Sequence, residues 1–149
     1  MKLFLDTSVV LRFYVKEDEK THRDVVQLFQ HIKIGKLRPY CSGVVIQEII
    51  YVLTSVYKFP KDRVLDATSD FIAMRNMTVI EKADSQTALK LYRAHNVKYG
   101  DCLIASQLPE GVTLCSYDHD FPTKLKIPII TPSDVIASKK FDFPQANSL

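Results

Sequence analysis

Apolar residues in this chain fall in short runs divided by polar turns, and the runs alternate between strand-like and helix-like periods. Lys2–Leu5 is a four-residue run closed by Asp6, which predicts a buried strand and then a turn. Thr7 or Ser8, both good N-caps, opens a helix through Val9, Val10, Leu11 and Tyr14. From Asp18 to about Ile34 the apolar positions Val25, Val26, Leu28, Phe29 and Ile32 form a helical stripe, and Gly35 stands where a helix C-cap belongs. Pro39, Tyr40 and Cys41 predict a second strand, followed by a helix from Val44 to about Tyr57 that buries Val45, Ile49, Val52, Leu53 and Val56. Pro60 ends that segment. Lys61–Arg75 has helical spacing, Thr78–Ile80 is a strand, and Ser85–His95 is a helix. Asp101 opens a mostly apolar helix just after Gly100, as an acid at a helix N-terminus should. Val112–Cys115 is a strand, Pro128–Ile130 a last short one, and Ser133–Ala137 a last short helix. Residues 139–149 are expected to be a loose C-terminal tail. Short apolar strands alternating with helices imply an α/β domain over residues 1–138, with a parallel sheet covered on both faces.

Composition narrows the class. A chain of 149 residues, 46% apolar and 25% charged, suits one soluble globular domain. No run approaches the roughly 20 apolar residues that span a bilayer. The N-terminal run has a superficial likeness to a secretion signal, but Asp6 interrupts it and no small-residue cleavage site follows, so a cytoplasmic protein is expected. Cys41, Cys102 and Cys115 are widely spaced, without a C-x-x-C pair, and read as small core residues of a reducing compartment. His22, His31, His95 and His119 form no helical H-x-x-x-H pair, which argues against histidine-bound zinc. The net charge of +3 is compatible with a polyanionic partner and proves none.

The positions of the acids change the picture more. In open parallel sheets, sites form outside the carboxyl ends of the strands. Asp6 follows the first strand, Asp118 follows the strand Val112–Cys115, Asp101 sits at a helix start, and Glu48 lies one turn into the helix after the second strand. All four are candidates for one edge of the sheet. Each admits a plainer role when taken alone. Asp6 can cap a helix, Asp101 can complement a helix dipole, and Asp118 and Asp120 are ordinary loop residues. Glu48 can lie on a solvated face with Gln47 and Tyr51. Together they would repel one another unless a cation neutralised them, and hard oxygen ligands of this kind suit Mg²⁺ or Mn²⁺.

Four segments carry a resemblance: Leu5-Asp6-Thr7-Ser8-Val9-Val10, Gln47-Glu48-Ile49, Gly100-Asp101-Cys102-Leu103-Ile104-Ala105 and Ser116-Tyr117-Asp118-His119-Asp120-Phe121. In that order and spacing they resemble PIN domains, among them the compact VapC-type toxins, over about the first 137 residues. The resemblance implies a three-layer α/β/α fold with a central parallel sheet of about five strands in the order 3-2-1-4-5. It also implies a Mg²⁺- or Mn²⁺-dependent endoribonuclease. Carried onto this chain, Asp6, Glu48, Asp101 and Asp118 match the family's acidic positions, with Asp6, Asp101 and Asp118 as metal ligands and Glu48 as a further ligand or water-positioning base. Ser8 and Ser116 match supporting polar positions, Asp120 matches the second acid of the last motif, and Cys102 stands where Ala is more usual.

The implied partners are an RNA substrate, a small antitoxin over the acidic site and a second copy in a homodimer. A PIN nuclease of RNA maturation or decay, without an antitoxin, and a catalytically silent scaffold are the alternatives. A haloacid-dehalogenase phosphatase would need a second Asp two residues after the first, where Ser8 stands, and a response-regulator receiver needs an N-terminal acidic pair that is absent. Arg12, Lys16, Lys58, Lys61, Lys124 and Lys126 are candidates to steer an RNA backbone, although each also reads as an ordinary solvated charge. Tyr14, Tyr51, Tyr57 and Phe59 are able to stack on single-stranded bases, but their spacing favours core or dimer interface.

Overall fold

Leu3, Phe4 and Leu5 in β1 (Lys2–Leu5) are all fully buried, as befits a strand with helices on both sides of it. A computed structural model describes residues 1–138, and the expected tail at 139–149 lies outside the described residues. β1 pairs in parallel with β2 (Arg38–Ser42) on one side and with β4 (Thr113–Cys115) on the other. β3 (Thr78–Ile80) adds outside β2, and β5 (Ile129–Ile130) outside β4. The sheet order is therefore β3-β2-β1-β4-β5, as the resemblance implies.

This order dictates where the helices go. The chain steps outward from β1 to β2 and β3, then jumps back across β1 to β4 and continues to β5. Right-handed crossovers in opposite directions place their helices on opposite faces. One face takes α1 (Thr7–Tyr14), α2 (Glu19–Lys33), α3 (Gly43–Tyr51) and α4 (Lys61–Ile72), and the other takes α5 (Ser85–Ala94) and α6 (Tyr99–Gln107). The core divides accordingly. A main cluster holds Leu3, Val9, Leu28, Val45, Phe71 and Leu114, and a smaller one under α5 and α6 holds Ala88, Val97 and Cys102. Two short helices complete the described residues, α7 (Asp120–Thr123) and α8 (Pro132–Ala137), the latter packed against α2 and opened by a Thr131–Asp134 capping box. Cys41, Cys102 and Cys115 are buried free thiols.

Several boundaries differ from the sequence reading, each for a local reason. The helix expected to run to about Tyr57 ends as an α-helix at Tyr51 and continues as a π-helical turn, Val52–Val56. There the Thr54 hydroxyl donates to the Ile50 carbonyl at 2.6 Å and competes with the backbone ladder, while the Tyr57 amide reaches back five residues to Val52. α4 stops at Ile72, short of Arg75, and Asn76 takes a left-handed conformation in the turn to β3. α6 begins at Tyr99, because the Lys98 carbonyl accepts from both Asp101 and Cys102. Thr7 and Ser8 are not N-caps; Asp6 holds that position and the two lie in the first turn. Gly35, with φ +82°, closes α2 as expected: its amide donates to Ile32 and that of Lys36 to His31, a Schellman arrangement.

Candidate functional site

Strand order reverses between β1 and β4, so the crevice at the carboxyl ends of these two strands is where a doubly wound sheet binds ligands. Asp6 leaves β1 there, and Ser116 and Asp118 leave β4. Although Asp6 occupies an N-cap position, its side chain makes no capping bond. Instead Oδ2 accepts from Ser8 Oγ at 2.8 Å and from Ser116 Oγ at 2.7 Å. Ser116 Oγ also accepts from the Asp118 amide at 2.9 Å, and Ser8 Oγ from the Tyr117 amide at 3.1 Å. The two serines therefore tie the ends of β1 and β4 together and fix one oxygen of Asp6, a carboxylate only 4% exposed.

Glu48 and Asp101 come from the two helices that flank this crevice. Thr7 Oγ1 donates to Glu48 Oε2 at 2.6 Å and orients the carboxylate. The other oxygen, Oε1, lies against Gly100 of α6, so closely that a Cβ on Gly100 would collide with it. Asp101 is 5% exposed, and its Oδ2 is buried with no hydrogen-bond partner. Burial, with added repulsion from Asp118 and Asp6, pushes its carboxyl up to about 7. Burial also raises Glu48, with further contributions from Asp6 and Asp118, against the lowering effect of the Thr7 hydrogen bond. Asp6, Glu48, Asp101 and Asp118 are thus near enough to act on one another electrostatically, as their sequence positions lead one to expect.

Asp120 stands slightly apart. Its amide donates to Asp118 Oδ1 at 2.9 Å, which shapes the loop, while its carboxylate pairs with Lys124 at 3.1 Å. Among the steering cations named from sequence, Arg12 is engaged in the site. It lies 4.5 Å over the Tyr117 ring and donates to the Ser8 carbonyl at 2.9 Å. Lys16 pairs with Glu19, Lys124 also reaches the Asn96 carbonyl, and Lys126 the Thr123 carbonyl. Sequence reasoning missed Lys98, which lowers the carboxyls of both Asp101 and Glu48, and Thr7 in its role on Glu48. Lys98 had one usable signal: it sits three residues before Asp101, one turn away at the start of the same helix.

Among the described residues no three acidic, imidazole or thiol side chains are closed into a ready ligand cage. The donor set nevertheless fits a hard divalent cation. All its donors are carboxylate oxygens, one of them is buried without a partner, and a cation that keeps part of its water shell needs few direct ligands.

Known proteins resemble this chain in sequence and in fold. Over 103 residues the chain is 29% identical to a VapC ribonuclease of Aquifex aeolicus (strain VF5), covering 69% of this chain and 75% of that one. Its fold resembles that of VapBC2 from Rickettsia felis, solved bound to a DNA fragment from its promoter. The TM-score is 0.60 at 17% identity, over 88% of this chain and 98% of that one. It also resembles Mycobacterium tuberculosis VapC20, a sarcin-ricin loop cleaving toxin. Here the TM-score is 0.60 at 14% identity, over 80% and 92% of the two chains. The profile of the PIN domain matches residues 3–124. Since that match runs from the first strand past the last of the four acids, the chain belongs to the PIN domain family.

Proposed function

We propose that this chain is a metal-dependent endoribonuclease, acting as the toxin of a toxin–antitoxin pair in the cytoplasm. The observation that carries this reading is the convergence of Asp6, Glu48, Asp101 and Asp118 at the strand-order reversal, with one buried Asp101 oxygen unpartnered. Asp6, Asp101 and Asp118 would hold Mg²⁺ or Mn²⁺. When bound, such an ion supplies Lewis acidity toward a phosphate oxygen and lowers the pKa of a coordinated water. The remaining chemistry belongs to the chain. Ser8 and Ser116 keep Asp6 in one orientation, as outer hydrogen bonds do for ligands in other metal sites. Glu48, oriented by Thr7 and raised by burial, would take the proton of the attacking water. Water adds to phosphorus as the bond to the 3′-oxygen breaks, leaving a 5′-phosphate and a 3′-hydroxyl.

The homology to a VapC ribonuclease supports RNA as substrate, and the fold likeness to VapBC2 supports a small antitoxin as partner. Apolar side chains left in solvent on the π-helical turn and α4, Val56 and Leu65 among them, support pairing with a second copy. Among the described residues no helix is long and apolar enough to cross a membrane.

The test is cleavage of a labelled single-stranded RNA and a labelled structured RNA in Mg²⁺, Mn²⁺ or EDTA, beside Asp6→Asn. Cleavage is expected with either ion and lost in EDTA and in the variant. Cleavage that persists in EDTA would refute the metal-dependent mechanism.

A further inference from the structure

Beside Glu48 the surface opens into a cavity of about 260 Å³, bounded by Gln47, Glu48 and Tyr51 of α3 and by Tyr99, Gly100 and Leu103 of α6. Glu48 belongs both to this cavity and to the acidic cluster, so the two adjoin at that residue. Tyr51 is 63% exposed, a large ring left in solvent one helical turn from an acid. Tyr99 is half-buried and braced edge-on by Tyr92, with centroids 5.6 Å apart and planes at 74°. Other aromatics named from sequence are occupied. The Tyr14 hydroxyl donates to the Ala67 carbonyl, and Tyr57 stacks on Phe59 and donates to Glu17. Gln47 is exposed at the same cavity and offers an amide donor and acceptor side by side. Lys98, the cation that acts on Glu48 and Asp101, precedes Tyr99 at the start of α6.

We propose that this cavity is the subsite for one unstacked nucleobase next to the scissile phosphate, with Tyr51 and Tyr99 as aromatic walls and Gln47 at the base edge. This rests on the ribonuclease reading and locates the substrate within it. Four clustered acids repel a phosphate backbone, so the affinity for RNA must come from groups beside them. Aromatic stacking is the interaction that every base can make. A cavity of this size has room for a splayed base, and only an unpaired base can swing out to reach it, which selects loops and single strands over duplex.

The test uses a short single-stranded RNA carrying 2-aminopurine, whose fluorescence falls on stacking, placed in turn at each position around the cleaved bond. Binding is measured to full-length Asp6→Asn, with and without Tyr51→Ala or Tyr51→Phe. One position is expected to be quenched by Asp6→Asn, to lose that quenching with Tyr51→Ala and to keep it with Tyr51→Phe. In the cleaving protein Tyr51→Ala should raise KM about tenfold. Quenching that is absent, or unchanged by Tyr51→Ala, overturns the subsite, including the case where Tyr51→Ala only converts a dimer to a monomer by light scattering. Tyr51-dependent quenching in a protein whose parent cleaves nothing would keep the subsite and remove the nuclease. Cleavage without such quenching would do the reverse.

Discussion

Ser116 serves the acidic site through a single hydroxyl that donates to Asp6 Oδ2 and accepts the Asp118 amide. It is fully buried, so replacing it leaves two polar groups short of a partner. Ser116→Ala should cut cleavage by about 10- to 100-fold, with a matching loss of Mn²⁺ affinity by calorimetry. A variant that kept full affinity while losing rate would show that Ser116 does not act through Asp6. The meeting of Asp6, Glu48, Asp101 and Asp118 was legible in the sequence from their joint placement near the carboxyl ends of the strands, although each alone admits a plainer role. Thr7 and Tyr99 were not legible. Thr7 meets Glu48 across 41 positions of chain, and no local pattern encodes such a meeting.

At the level of elements, the critical distance is that between α3 and α6. Gly100 lets α6 approach the Glu48 carboxylate, whereas Gly43, at the start of α3, has open space where a Cβ would go. The same substitution should therefore have opposite results at the two sites. Gly100→Ala is expected to displace Glu48 and lower kcat by about tenfold or more, and Gly43→Ala to leave kcat near that of the parent. Equal kcat in the two variants would mean that the placement of Glu48 is not critical. Gly35→Ala adds a strictly structural comparison. It forces a residue with a Cβ to φ +82° and against the Arg75 guanidinium, so it should cost stability, about 1 kcal/mol, without touching the site. Strands and long helices were readable from periodicity to within a few residues. The π-helical turn was not, since it depends on the Thr54 hydroxyl choosing a backbone carbonyl over solvent, and α7 is too short to show any period.

For the whole molecule, crowding the acids has a pH signature. The Asp101 carboxyl ionises near 3.8 in an unfolded chain and near 7 in the native one. Between those values the native state holds a proton that the unfolded state has released, so stability falls as pH rises from about 4 to about 7. Burial of Glu48 acts in the same direction. In EDTA the Tm should be lower at pH 8 than at pH 5, Asp101→Asn should flatten that profile, and Mn²⁺ at pH 8 should restore the loss. A metal-free Tm that climbs from pH 5 to pH 8 would contradict the cluster's electrostatics. The sheet order and the edge that carries the acids were both within reach of the sequence, because strand-end positions and the family's order of segments reveal them. The cavity beside Glu48 was not, because it exists only once two helices from opposite faces have docked.

The pairing of β1 with β4 also bears on when, during synthesis, the acidic site can form. Asp6 and Ser116 are 110 positions apart, and the first strand lacks one of its two neighbours until β4 has left the ribosome. Contacts this remote in sequence form late in folding. A nascent or prematurely terminated chain lacks Ser116 and Asp118, so it can neither hold Asp6 nor complete the acidic set. The order of the segments along the polypeptide thus withholds the complete acidic set until residues 113–118 have been made, and on the ribonuclease reading proposed above cleavage has to wait for them.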